Sequence, residues 1–436
     1  MRIQPDLGRT SVRHVVATLA VAAGLVIGVP EIGQAQNAVT DWVGIVQPAI
    51  HSASAPRPPG SAEILHTIVH LAVHDAVVAI EGGYEPFAAE IDAPAGADLR
   101  AAIATAAYRT ARGRVAASQF AYLDGQHASY MAGIPDGQAK DDGVAVGEAA
   151  AMAMLALRAS DGFNNAVVYQ CSAVPPPFAE FEPNAGCGTQ PVDAKVAQIT
   201  PFTFDDPGRY RLRGPDRFRS RNWVDDFDET KDYGRSNSAV RTAEQTDIVY
   251  FWAEHAYVHW NRNLNSLAVA EGLDTLGTAR LFALVHTAVS DAVISGFHAK
   301  YSSRFVRPRT AIPRAAEDGN RRTEADASWT PLLTVNHPEY PSAHAFWSTA
   351  LTGAVASFFG DDDVPWTITT SQTAVPQLVQ TERTYADLDE INDEIDDARV
   401  WAGLHWRNSM TDGRKLSAKV TRHVLRHFRA GDHCHE

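Results

Sequence analysis

Only three of the 436 residues are cysteine, and cations are outnumbered: 38 Lys plus Arg face 52 Asp plus Glu, a formal charge of -14. That deficit excludes a general electrostatic grip on nucleic acid, which needs a basic surface. An anionic ligand has to be met by a local cluster of cations. Strand-like alternation is scarce outside short pieces such as 367–369. Beyond the first 35 residues no stretch reads as apolar and long enough to span a bilayer, for which about 20 residues are needed. With 45% hydrophobic, 21% charged and 9% aromatic residues, the composition excludes a disordered, collagenous or multi-span chain. The length allows one large domain or two to three of roughly 150 residues.

What is present begins with a leader-like segment. Residues 1–35 carry Arg2, Arg9 and Arg13, an apolar run from 15 to 29, and Gly33-Gln34-Ala35 with small residues at −3 and −1 of a cleavage point. This reads as a signal peptide rather than a membrane anchor, because the apolar run is too short to span. The mature chain is then expected to be exported, periplasmic or extracellular, with no stable membrane anchor. It lacks a twin-arginine pair there, so export in an unfolded state is the simpler route. Cys171 and Cys187 flank Pro175-Pro176-Pro177 and suit a disulfide in an oxidising compartment, leaving Cys434 in the tail.

The dominant period is helical. Residues 61–80, 99–112, 143–159, 239–258, 275–294, 343–359, 390–405 and 414–428 place apolar residues three and four apart, many of them alanine. An eight-residue pattern recurs 216 positions apart: His70-Leu-Ala-Val-His-Asp75-Ala-Val and His286-Thr-Ala-Val-Ser-Asp291-Ala-Val. It suggests one helix used twice. The expectation is an all-α chain of two helical bundles, 36–162 and 239–436, joined by a long irregular connection, 163–238, rich in Pro, Gly, Asp and Arg.

Three sets of residues invite chemistry. His66, His70 and His74, then His255 and His259, then His423 and His427, share helix faces and could ligate metal. A carboxylate-bridged dimetal bundle wants Glu-x-x-His on two helices, and only Glu63-Ile-Leu-His66 supplies it, so these histidines read as structural. Arg209, Arg211, Arg213, Arg217, Arg219 and Arg221 are interleaved with Asp205, Asp206, Asp216, Asp225 and Asp226 and read as a solvated loop, a lid over an anion being the alternative. The third set is the most specific. Lys300 is followed after six residues by Arg307-Pro308. Pro341-Ser342-Ala343-His344 opens an alanine-rich helix. Arg399 is followed after five residues by His405. Together they offer an oxyanion cations for its charge, a hydroxyl and helix-start amides for its oxygens, and two histidines to bond its central atom or move protons.

These segments resemble the site shared by the vanadium-dependent haloperoxidases and the type 2 phosphatidic acid phosphatases, written Lys-x6-Arg-Pro, Pro-Ser-Gly-His and Ser-Arg-x5-His-x3-Asp. Ala343 stands for the glycine, Ala398 for the serine and Ser409 for the aspartate, so the partner that orients His405 is open between a backbone carbonyl and Asp412. The flanks Glu339-Tyr340-Pro341-Ser342, Trp401-Ala-Gly-Leu-His405-Trp406-Arg407 and Ala156-Leu157-Arg158-Ala159-Ser160-Asp161-Gly162 look like bacterial vanadium haloperoxidases. The resemblance implies vanadate as cofactor, bonded by His405, with phosphate able to take the same place. Lys300, Arg307 and Arg399 would neutralise its oxygens, Ser342 and the Ala343 amide would donate to them, and His344 would move protons. Hydrogen peroxide and halide would be the substrates, with Lys300 polarising the peroxide. The alternative is an acid phosphatase in which His405 attacks a phosphoester. His337, five residues before Ser342, would either tune the halide or cap the turn. A homo-oligomer is compatible with either activity.

Overall fold

The computed structural model describes residues 37–428. The leader segment 1–35 and Cys434 lie outside the described residues. In chain order the helices are α1 (Ala38–Ile50), α2 (Pro59–Glu81), α3 (Leu99–Arg112), α4 (Phe120–Ala132), α5 (Gln138–Leu157), α6 (Arg221–Tyr233), α7 (Ala243–Phe251), α8 (Ala256–Ala270), α9 (Thr275–Ser303), α10 (Pro308–Ala311), α11 (Ala343–Phe359), α12 (Leu388–Trp401) and α13 (Arg407–Val424). An antiparallel hairpin, β1 (Trp366–Thr369) with β2 (Glu382–Tyr385), pairs Trp366 with Tyr385 and is the one sheet among the described residues. The all-α expectation holds.

The helices start where the sequence offers caps. The side chains of Asn37, Asp98, Ser220 and Asp274 each accept a hydrogen bond from a first-turn amide of α1, α3, α6 and α9. Helix α2 opens on prolines and has no cap of its own. Asp193, far along the chain in a left-handed turn (φ 57°), supplies it: Gly60 N and Ser61 N donate to its carboxylate at 2.9 and 3.2 Å, and Ser61 Oγ at 2.5 Å.

Helices α2 and α9 form the centre of the molecule and pack on each other. By length and composition both could cross a membrane, contrary to the expectation that no later segment could, but 89% and 94% of their apolar windows are buried inside the protein. Their neighbours α3, α5, α11 and α13 take the place of lipid. Helices α3 and α5 cover α2, while α11 and α13 cover α9, and the apolar core is continuous across both sets. Gly296 marks the tightest approach on α9, because a Cβ there would collide with the Phe346 ring of α11.

The recurring pattern has a structural meaning. Asp75 of α2 accepts from the amides of Phe87 (2.6 Å) and Ala88 (2.8 Å), and Asp291 of α9 accepts from those of Phe202 (2.5 Å) and Thr203 (3.1 Å). Each buried carboxylate thus pins an extended strap against its helix. The repeat is one device built twice, with His70 and His286 stacked where the two helices meet, ring centroids 4.7 Å apart.

Residues 163–238 are less irregular than their composition suggests. They contain α6 and the Cys171–Cys187 disulfide. Trp223 and Phe227 of α6 pack with Phe305 and Trp406 in a second apolar cluster. Thr230 Oγ1 donates to the His405 carbonyl at 3.2 Å, so this segment buttresses the chain that carries His405. The six arginines from 209 to 221 are exposed, except for no more than their stems, and form the expected solvated face.

Candidate active site

Five local structures converge on one point. The stripe that buries α9 ends on Lys300 in its last turn. Arg304 then turns the chain in a left-handed conformation (φ 51°), and Arg307 sits just before α10. The turn 337–342 leads to Ser342, the N-cap of α11. Arg399 closes α12. Gly403 (φ 72°) lets the backbone pass against Gly234, where a Cβ would clash with that carbonyl, and delivers His405 ahead of α13. Lys300, Arg307, Ser342, Arg399 and His405 are all buried.

Every sequence-predicted site residue reaches this place, though not in the same role. Lys300 Nζ donates to the carbonyls of Pro338 and Glu339, both at 3.0 Å, and to that of Pro341. An ammonium has three N–H groups, so Lys300 spends them on the turn and contributes charge and position rather than a free donor. Arg307 is held similarly: Nε donates to the His337 carbonyl and Nη1 to that of Leu404, both at 2.7 Å. Its Nη1 also lies 3.4 Å from His405 Nε2. Ser342 Oγ and Arg399 Nε have no partner among the described residues, and Arg399 Nη1 makes a long 3.4 Å bond to the Trp252 carbonyl. Ala343 is the first residue of α11 and keeps a negative φ, so the missing glycine is not needed there. The amides of the first helical turn have no intrahelical acceptor.

The partner of His405 is neither a backbone carbonyl nor Asp412. Glu339, fully buried, accepts from His405 Nδ1 at 2.8 Å and from Trp406 N at 3.1 Å. Asp412 instead accepts from Tyr340 Oη at 2.7 Å, and Ser409 Oγ stands 3.5 Å from His405 Nδ1. When Glu339 is ionised, Nδ1 carries the ring proton and Nε2 keeps its lone pair. Sequence reasoning quoted Glu339 only as a flank; the available signal was a lone carboxylate inside a cation-rich motif.

Burial and mutual repulsion govern the charges. Burial and Arg307 push Lys300 far below its ordinary range. Arg307 falls to about 10 and Arg399 to about 9, burial being the larger cause for both. His405, His344 and His337 are held neutral by burial and by the neighbouring cations. Burial lifts Glu339 to about 7 despite Arg307 and Lys300. Three crowded cations against one carboxylate favour an anion of the kind that charge-assisted hydrogen bonds hold.

His344, His337, Arg399 and His405 line one side of a cavity of about 310 Å³ whose other walls include Trp260, Phe297, Trp347 and Val335. His337 accepts from Arg307 Nη2 at 2.9 Å through Nδ1, so it borders the cavity and braces the arginine together. The arrangement suits a small oxyanion at the polar end and small apolar or weakly hydrated partners beyond it.

The other histidines divide. His255 bonds the Arg57 carbonyl at 2.9 Å, His259 lies 3.7 Å from Glu254, and His423 bonds the Thr203 carbonyl at 3.0 Å, all packing roles. His66 and His70 instead meet His286 from α9.

Comparison with known proteins bears on the fold. Residues 280–431 match the family model of the VCPO second helical-bundle domain. No curated protein matches the chain by sequence. A bacterial vanadium-dependent iodoperoxidase superposes with TM-score 0.73 at 20% identity, over 90% of this chain and 96% of its own. A holo-type bacterial vanadium-dependent chloroperoxidase gives 0.70 at 18%, over 90% and 98%. An apo-type one gives 0.65 at 17%, over 86% and 96%. The chain has the vanadium haloperoxidase helical-bundle fold.

Proposed function

We propose that this protein is a vanadate-dependent haloperoxidase that uses hydrogen peroxide to oxidise halide to hypohalous acid. The observation that carries the reading is that His405, His344 and Arg399 line one cavity, with Arg307 Nη1 3.4 Å from His405 Nε2 and the unpartnered Ser342 Oγ at the start of the helix that carries His344. Those residues and the first amides of α11 fit a vanadate, and phosphate would satisfy the same donors. Vanadate, when bound, supplies a Lewis-acid centre for peroxide activation that keeps its oxidation state.

The chain's own groups do the rest. Glu339 fixes the tautomer of His405, so its Nε2 lone pair faces the anion. Arg307 and Arg399 offset oxygen charge in a poorly solvated pocket. Lys300 holds the turn that carries Glu339 and Ser342 and adds charge from behind. The His344 ring makes a hydrogen bond to the Trp252 backbone, and its remaining nitrogen, neutral in these surroundings, accepts a proton from a peroxide entering the cavity. The apolar walls limit water and leave room for halide. Export of the mature chain belongs to the same proposal, supported by the leader-like residues 1–35 and by the Cys171–Cys187 disulfide.

Reconstitution tests it. Protein loaded with orthovanadate should retain vanadium by elemental analysis and, with peroxide and bromide, should brominate an activated phenol, with phosphate competing. His405→Ala should lose oxyanion retention and turnover together. His344→Ala should keep affinity and lose rate by roughly 10²- to 10⁴-fold. Rapid phosphoester hydrolysis without vanadate-dependent halogenation would establish the phosphatase chemistry instead.

A further inference from the structure

The centre of the α2–α9 contact holds a second constellation, built from residues that the oxyanion motif does not use. His66 and His70 project from successive turns of α2, and His286 projects from α9. One ring nitrogen of each lies within 4.8 Å of the others, and all three residues are buried. Their rings stack at centroid distances of 4.4 to 5.0 Å.

The hydrogen bonds around the cluster are lopsided. His286 Nδ1 bonds Glu63 Oε1 at 2.7 Å, and His66 Nδ1 bonds Tyr257 Oη at 2.5 Å. The Nε2 atoms of both, and both nitrogens of His70, have no partner among the described residues. A neutral imidazole always carries one N–H donor and one lone pair. Leaving such groups unpaired in a core costs about 1–3 kcal/mol each, and packing alone would be served better by apolar side chains. The bond to the Glu63 carboxylate does what the partners of metal-ligating histidines do: it draws the ring proton of His286 to Nδ1 and leaves Nε2 available, while Tyr257 Oη anchors the His66 ring through Nδ1.

We propose that His66, His70 and His286 form a buried three-histidine site for a divalent first-row transition ion of the zinc class, with Glu63 and Tyr257 orienting two of the ligands. Three imidazoles with a fourth position open to water or to a side-chain oxygen suit that ion. Imidazole nitrogens around such a metal sit about 2.0–2.1 Å from it, so on binding the three stacked rings must turn out of parallel until their lone pairs converge on one ion. The ion would join α2 to α9 and clamp the two halves of the chain, a role independent of the oxyanion chemistry.

The test uses the full chain produced in zinc-supplemented and, separately, cobalt-supplemented medium, then dialysed against metal-free buffer. Elemental analysis should find about one zinc per chain, whether or not orthovanadate has been added. The cobalt form should show the visible absorption of a histidine-ligated ion. His70→Gln and His286→Gln should each abolish retention. Glu63→Gln, which keeps the side-chain volume, should weaken affinity by roughly 10- to 100-fold. Should the ligand variants fail to fold, the native protein and Glu63→Gln decide the matter. Native protein that leaves dialysis without zinc or cobalt, or that binds it unchanged in Glu63→Gln and the glutamine variants, would overturn the proposal.

Discussion

Arg399 is the residue whose replacement separates ligand binding from folding. It is 3% exposed, its Nε is unpartnered among the described residues, and the charge that acts on it is the like charge of Arg307. Burial and that neighbour bring it from 12.5 down to about 9. Such a fall corresponds to a burden on the order of 5 kcal/mol for keeping the guanidinium charged there. Arg399→Met keeps most of the packing of the stem, whose misfit costs under about 1.5 kcal/mol. The variant without anion should therefore be more stable than the native protein, by about 1–3 kcal/mol once relaxation is allowed for, within the range seen when buried charges are replaced by apolar residues. Towards an oxyanion the sign reverses. Loss of one charge-assisted hydrogen bond, about 1.5–3 kcal/mol, should weaken binding roughly 10- to 150-fold. Thermal unfolding in anion-free buffer and again with phosphate or orthovanadate reads both effects: the midpoint should rise without the anion, and the anion-induced increase should shrink. A lower midpoint without anion, together with an undiminished anion-induced increase, would refute the idea that this guanidinium is retained for its ligand.

Glu339 carries a pH signature. Its carboxyl titrates near 7 in the folded chain against an ordinary 4.5, raised by burial. The folded state therefore holds a proton that the unfolded state has released, and the group's contribution to stability falls as pH rises from about 4.5 to about 7. Glu339→Gln should gain on the native protein across that window by up to roughly 3 kcal/mol; urea midpoints at pH 5 and pH 8 check it, and a gap moving the other way contradicts the assignment. Asp75→Ala and Asp291→Ala should each loosen only their own strap, which hydrogen exchange at residues 87–88 and 202–203 would register; a common response at both straps would count against two separate devices. Gly296→Ala should destabilise the protein by about 1–3 kcal/mol through the Phe346 clash, measured by urea unfolding, and a neutral result would mean that α9 and α11 shift apart freely.

Much of this was legible in the order of residues. Seven of the eight long apolar periods mark single helices of the structure, whereas 239–258 is broken at 252–255 between α7 and α8, and the motif spacing selected the residues that meet, because each sits at a helix end where side chain and backbone are both specified. The hidden parts share a physical cause. Helices α1 and α4 are short, and α6 is so charged that its apolar stripe of Trp223, Val224 and Phe227 is diluted. Glu339 was overlooked because its meaning depends on facing His405, 66 residues away. The meeting of three histidines was hidden for the same reason: spacing along α2 shows His66 and His70, but the third ring, His286, comes from α9. The disulfide was readable because its loop is local.

The α2–α9 contact also sets a clock. Residues equivalent in the repeat are 216 positions apart, and a ribosome adding roughly 5–20 residues per second needs on the order of 10–40 s to make that span. For that time α2, α3 and α5 have been synthesised while the face of α2 that meets α9 is uncovered. Until then that apolar face has no partner, so nascent chains should be most vulnerable to aggregation just before α9 emerges.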